Sequence, residues 1–219
     1  MDFWQILKNK NSIRYFVKTV SYIRNCFFYI FYYFSYNNTM KKQSKALIFV
    51  VGVLIFVIYC YVAVMHFLYP INYKEQIIEY SNEYNLSKEL VASLINAESS
   101  FNKDAVSNRG AKGLMQIMPS TASWLAEKLN IEYSEEMLFQ SDYNIHLGTY
   151  YLRYLTNKFE DTTVVLCAYN AGEGVVSEWL ANTQYSDNGK TLKSIPYPST
   201  RAYVKKIFDG LRIYTKKLK

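Results

Sequence analysis

One carboxylate in this chain falls where an apolar side chain would be expected. Between Ser87 and Ser99, Leu90, Val91, Leu94 and Ile95 recur at the spacing of one buried helix face. Continued by one turn, that stripe reaches Glu98, four residues after Leu94, three after Ile95 and seven after Val91. Spacing alone leaves two outcomes open. Either the helix frays and Glu98 turns to solvent or pairs with a cation such as Arg109, or the carboxyl is held in apolar surroundings. In the second case desolvation raises its pKa, and an acid still protonated near neutrality can donate a proton to a leaving oxygen. That is the general-acid step used on glycosidic bonds.

Other candidate chemistry is sparse. The acid nearest Glu98 in sequence, Asp104, falls in the polar loop NKDAVSNRG, where a turn role fits better. Cys26, Cys60 and Cys167 lie in three separate segments, so no pair of them can staple the main domain. Cys167 sits in the apolar run Val164, Val165, Leu166, Cys167, Ala168 and reads as an inert buried residue. A nucleophilic role would require a histidine partner, and the chain offers only His66 and His146. No cluster of Cys, His and carboxylates has metal-ligand spacing, so neither a metal nor a cofactor is expected.

The elements that must position Glu98 are helical. Ser87 is placed to cap the 87–99 helix, with Glu89 in its first turn. Pro119, Ser120 and Thr121 open a helix through Leu129, and Ile145, Gly148, Leu152, Leu155 and Phe159 mark a longer one. Asp161 can cap a short helix ending at Tyr169 and Asn170, before the break Gly172-Glu173-Gly174. A last helix is expected from about Ser199 to Lys216, with Tyr203, Val204, Ile207, Phe208, Leu211 and Tyr214 on its inner side. Strand-like alternation is scarce, so the fold class is mainly α.

Charge and hydropathy divide the 219 residues into three parts. Residues 1–45 carry eight basic side chains against Asp2, which accounts for the whole formal charge of +7. The remainder is neutral and has no electrostatic footprint for nucleic acid. Residues 46–69 form an apolar run without Asp, Glu, Lys or Arg, long enough to span a bilayer. Lys41, Lys42 and Lys45 just before it place the N-terminal side in the cytoplasm and residues 70–219 outside, as a single-pass membrane protein. A cleaved signal peptide fits less well, because the run is long and no small-residue cleavage site comes after it. Residues 1–39 are aromatic-rich and basic, consistent with an interfacial segment or with a translation start at Met40. The C-terminal basic residues Lys205, Lys206, Lys216, Lys217 and Lys219 read as a solvated helix face.

Four blocks in order then carry a resemblance: AESSF at 97–101, SNRGAKGLMQIMPSTA at 107–122, NIHLGTYYLRYL at 144–155 and AYNAGEG at 168–174. With the tail IPYPSTRAYVKKI at 195–207, they closely resemble the soluble lytic murein transglycosylase (SLT) family over roughly residues 75–214. The resemblance implies a lysozyme-like transglycosylase domain behind the transmembrane helix. It implies cleavage of the β-1,4 bond between N-acetylmuramic acid and N-acetylglucosamine in peptidoglycan, giving 1,6-anhydromuramoyl ends.

By the same resemblance Glu98 is the catalytic acid and base, and the substrate's acetamido group is the nucleophile. Ser107 and Gln116 match positions facing the groove, where a hydroxyl and an amide could hold the acetamido group or the acid. Ordinary loop and helix capping is the alternative for both. Tyr169 matches a position beside the catalytic acid; a core tyrosine is the alternative there. Met118 is expected to pack, and its thioether stem also suits it to line the groove against the apolar face of a sugar. Asn170 and Tyr197 complete the implied substrate-binding set. Gly110 and Gly113 imply a loop whose backbone approaches a sugar. Ser199 departs from the family, which commonly has Glu before the Thr-Arg pair. Two rival readings remain: a lysozyme-type hydrolase, and a catalytically inactive wall-binding component of a secretion, conjugation or sporulation machine.

Overall fold

The computed structural model describes residues 42–219 and, before them, residues 21, 22, 24, 25, 28, 29 and 32. The reading of 1–39 as an interfacial segment, the start at Met40 and Cys26 fall wholly or largely outside the described residues. The chain divides into two units, with the boundary between Pro70 and Ile71. In the first, helix α1 (Lys42–Leu68) exposes large apolar side chains such as Leu47, Leu54 and Ile58. It is long and apolar enough to cross a membrane. The described helix includes Lys45, ahead of the apolar run itself.

The second unit is built from α2 (Lys74–Glu83), α3 (Lys88–Ser99), α4 (Pro119–Leu129), a short 3-10 turn (Glu136–Phe139), α5 (Ser141–Phe159), α6 (Thr162–Ala171), α7 (Glu173–Ala181) and α8 (Pro198–Lys217). Among the described residues, extended pairing is confined to isolated bridges in the 106–117 loop. Two helix starts obey their local signals. Ser87 Oγ accepts the Leu90 N–H at 3.2 Å, and Asp161 Oδ1 accepts the Val164 N–H at 2.9 Å. Neither α2 nor α7 stands out in the sequence. Only Ile77, Tyr80 and Ser81 of α2 are buried, too few for a clear stripe. At Gly172 the backbone has φ +95, and the chain re-enters a helix at once. The Gly172-Glu173-Gly174 break therefore separates two helices where the sequence suggests an end.

The core lies around α3. Val91, Leu94 and Ile95 are fully buried as expected, but Ala92, Ser93, Asn96, Ala97 and Ser99 are buried too, so the helix is enclosed on most sides. Its main partner is α8, whose Val204, Ile207, Gly210 and Tyr214 are buried. The two helices approach closely because Gly210 has no side chain. A Cβ there would lie 2.3 Å from Ser93 Oγ, which donates to the Ile207 carbonyl at 2.7 Å. Tyr203, Lys206, Ile207 and Gly210 have the i, i+3, i+4, i+7 spacing of one helix face. The contact that seats Gly210 therefore also carries Tyr203 and Lys206 toward the end of α3.

Candidate active site

Glu98 occupies the last turn of α3, which does not fray: the helix runs through Ser99. Two consecutive non-glycine residues in left-handed conformation, Ser100 (φ 52) and Phe101 (φ 61), end it. The Ser100 N–H returns to the Asn96 carbonyl at 3.1 Å, while Phe101 is buried with its ring 6.3 Å from that of Tyr214. Buried packing thus holds a backbone conformation that costs about 1–2 kcal/mol at each non-glycine residue.

Glu98 is largely enclosed, and burial pushes its carboxyl from the ordinary 4.5 up to about 7. Two groups work against that rise. The Tyr203 hydroxyl donates to Glu98 Oε1 at 2.6 Å, and the Lys206 ammonium attracts the ionised form. The sequence pattern assigns Lys206 to a solvated face. The residue is indeed exposed as a whole, but its Nζ donates to the Ala97 carbonyl at 2.9 Å. The cation beside Glu98 is therefore Lys206, and the alternative pairing with Arg109 is not adopted. Burial and the negative charge of Glu98 hold the Tyr203 phenol well above its usual range, so it remains a donor.

Tyr169 closes a third side. Burial first, then the charge of Glu98, hold its phenol well above the ordinary value, which places it within electrostatic reach of the acid. Its hydroxyl donates to the Met115 carbonyl at 2.9 Å. Met115 is fully buried, and a Cβ on Gly148 would lie 2.4 Å from its Sδ. Its N–H donates to Asn144 Oδ1 at 2.8 Å. Asn144, fully buried, also donates through Nδ2 to the Lys112 and Leu138 carbonyls, at 3.1 and 2.9 Å. Asn144 and Tyr169 thus fix one peptide segment of the 106–117 loop from both its N–H and its carbonyl. In the sequence Asn144 is legible only as part of a motif, and Tyr203 only as part of the tail motif and as an inner-face residue of the last helix. Neither carries a signal there that singles it out for a site.

The remaining candidates take other places. Ser107 Oγ accepts the Ala111 N–H at 3.0 Å, and Gln116 Nε2 donates to the Ala105 and Gly113 carbonyls at 3.1 and 2.9 Å. Both side chains brace the loop next to Met115, and Met118 just beyond is exposed. The Asn170 Oδ1 accepts the buried Thr200 hydroxyl at 2.8 Å, joining the end of α6 to the first turn of α8. Tyr197 is half exposed and meets Trp179 edge-on at 4.9 Å. Gly113 is pressed against the protein itself: a Cβ would lie 2.2 Å from both Asn144 Nδ2 and the Leu138 carbonyl. This close approach is internal, where the sequence suggests a sugar.

Of the other groups weighed from sequence, Asp104 is an exposed turn residue paired with Lys103 at 2.7 Å. Cys167 is fully buried, and that burial pushes its thiol up to about 12. His146 is taken up by a stack on Tyr80 and a 2.5 Å contact with the Tyr84 hydroxyl.

Residues 75–192 match the Transglycosylase SLT domain family, and the chain belongs to it. Its sequence is 34% identical over 143 residues to a soluble lytic murein transglycosylase of Salmonella typhimurium, a match covering 64% of this chain and 22% of that one. It is 33% identical over 134 residues to a membrane-bound lytic murein transglycosylase C of Edwardsiella ictaluri, covering 56% of this chain and 36% of the relative. Among solved structures, that of an inactive glutamate-to-glutamine mutant of the lytic transglycosylase Slt from Pseudomonas aeruginosa shares 32% identity. That match has a TM-score of 0.64 and covers 70% of this chain and 25% of the other. The chain spans about a fifth to a third of the length of these curated relatives. The mainly helical, lysozyme-like fold expected from sequence is the one observed.

Proposed function

We propose that this chain is a peptidoglycan lytic transglycosylase, cleaving the β-1,4 bond between N-acetylmuramic acid and N-acetylglucosamine with Glu98 as its single acid and base. One observation carries the reading: a carboxyl pushed to about 7 by burial, with Tyr203 and Lys206 as the groups that oppose the rise. Most two-carboxylate glycosidases place a second carboxyl within about 5–10 Å of the first. Among the described residues no second carboxylate acts on Glu98.

The chemistry then turns on one proton. Protonated Glu98 donates to the departing O4 of N-acetylglucosamine as the muramoyl C1–O4 bond breaks. The 2-acetamido oxygen bonds to C1 and compensates the positive charge. Ionised Glu98 next takes the proton of the 6-hydroxyl, whose oxygen displaces the acetamido oxygen from C1. Glu98 ends protonated, no water is consumed, and a 1,6-anhydro end results. Tyr203 steadies Glu98 Oε1 during the ionised stage. Ser107, Gln116, Met118, Tyr169, Asn170 and Tyr197 are assigned to substrate binding. For Tyr169 the support is its electrostatic contact with the acid, and for Gln116 its position next to Met115 in the chain.

In the same reading α1 anchors the chain as a single span, its basic end in the cytoplasm and residues 70–219 outside, where murein lies. A membrane-bound relative and the length of α1 support anchoring. Partners in an envelope-spanning machine would be reached from that side. The test is mass spectrometry of isolated murein digested by the full chain. Anhydromuramoyl ends are expected. Reducing ends would replace the reading with a hydrolase, and no soluble fragments at all with a wall-binding protein.

A further inference from the structure

Glu98 ionises in an unfavourable place. The last turn of a helix presents carbonyls without intrahelical partners and the negative end of the helix dipole. Both disfavour a carboxylate, in the same direction as burial. Yet a residue that is first an acid and then a base must be able to lose its proton as readily as it holds it.

The group that answers both problems is Lys206. Its ammonium donates to the Ala97 carbonyl at 2.9 Å and reaches the Asn96 carbonyl at 3.5 Å, the two residues immediately before the acid. It arrives there on the face of α8 that Gly210 seats against Ser93, three residues after Tyr203. The groups facing Glu98 can be named from each packed element. From α8 come Tyr203 and Lys206, and from α6 comes Tyr169, with Cys167 next to Tyr203. The two phenols and the thiol are all held neutral by burial, and α2 brings no charge to bear on the acid. Lys206 is thus the one positive charge acting on Glu98 among the described residues. Burial lowers the pKa of its own ammonium and the charge of Glu98 raises it, so the two groups are coupled.

We propose that Lys206 is a positioning residue for the Glu98 chemistry: its ammonium fastens the last turn of α3 through the Ala97 carbonyl and supplies the charge against which Glu98 ionises. This rests on the assignment of Glu98 made above, and acts on its first half, the donation to the leaving oxygen that leaves Glu98 ionised. Without Lys206 the carboxyl would hold its proton more tightly, giving it up to the leaving oxygen less readily while remaining able to accept the proton of the 6-hydroxyl.

The test uses the full chain in detergent, with glutamate labelled at the carboxyl carbon and the Glu98→Gln spectrum assigning the Glu98 resonance. Lys206→Gln keeps a donor for the Ala97 carbonyl but removes the charge; Lys206→Arg keeps both. In Lys206→Gln the Glu98 titration midpoint should move upward by about half a pH unit or more, roughly a threefold change in its ionisation ratio at fixed pH. The pH–rate profile on isolated murein should move with it, and Lys206→Arg should titrate as the native chain does. A Lys206→Gln chain that keeps the native midpoint and profile overturns the inference, whatever its overall activity. The outcome is separable from the assignment of Glu98, because activity surviving in Glu98→Gln would remove that assignment while leaving the titration of Glu98 in Lys206→Gln readable.

Discussion

Replacing Glu98 by Gln should destroy activity and stabilise the protein at the same time, the second effect growing in between about pH 4.5 and about 7 and reaching its full size above that. The sign comes from the raised carboxyl. Below about pH 4.5 the native and unfolded chains both hold the proton, and Glu98 then differs little from an isosteric amide. Between 4.5 and about 7 the native state keeps a proton that the unfolded state has lost, so stability falls as pH rises through that window. Above 7 the native carboxylate is ionised in its enclosed site and the full cost is present. At about 1.4 kcal/mol per pH unit, the interval from 4.5 to about 7 corresponds to about 3 kcal/mol. Gln never bears that cost. For a unit of this size about 3 kcal/mol corresponds to about 6–12 °C in Tm. Thermal unfolding of the full chain and of Glu98→Gln, tracked by near-ultraviolet circular dichroism at pH 4 and pH 8, measures it. The expected result is coincident melts at pH 4 and a variant melting higher at pH 8, with turnover on murein reduced at least about a thousandfold. An equal gap at both pH values, or a variant less stable at pH 8, would show that Glu98 is not held against its charge, and the reasoning would fail.

Three further outcomes are expected. Tyr203→Phe removes the 2.6 Å donor from Glu98 Oε1, so the carboxyl midpoint should rise and the pH–rate profile shift to alkaline values with reduced turnover near neutrality; carboxyl-carbon titration checks it. Gly113→Ala places a methyl within 2.2 Å of Asn144 and the Leu138 carbonyl at φ +79, and should cost more than about 3 kcal/mol in a denaturant melt and abolish activity. A chain beginning at Ile71 should remain in the soluble fraction and release fragments from isolated murein; recovery of that chain in the membrane pellet would contradict anchoring through α1.

Much of the scaffold is legible in the chain because its signals are local. The caps at Ser87 and Asp161 and the stripe of Val91, Leu94 and Ile95 each depend on residues within a turn or two. Glu98 itself is visible for the same reason, as a polar residue on an apolar period. The features that escape such a reading depend on long-range approach. Tyr203 and Glu98 are more than a hundred residues apart, and their bond exists because Ser93 and Gly210 allow two helices to close. The role of Asn144 likewise depends on a loop some thirty residues away, whose open peptide groups no periodicity reveals. Lys206 reads as solvated because composition registers a charge and not the direction in which its stem folds. Helix α7 is hidden because a glycine pair signals an interruption and is silent about the conformation on its far side.

The contact of Ser93 with Gly210 has a consequence for how this domain can change over generations. Because the spacing of two helices sets both the hydrophobic interior and the surroundings of the acid, neither can drift alone. A lineage that enlarged residue 210 would move a phenol and an ammonium away from Glu98 without altering either of them. Variation is therefore expected to collect at exposed positions such as Met118 and Tyr197, and to spare the seam between α3 and α8.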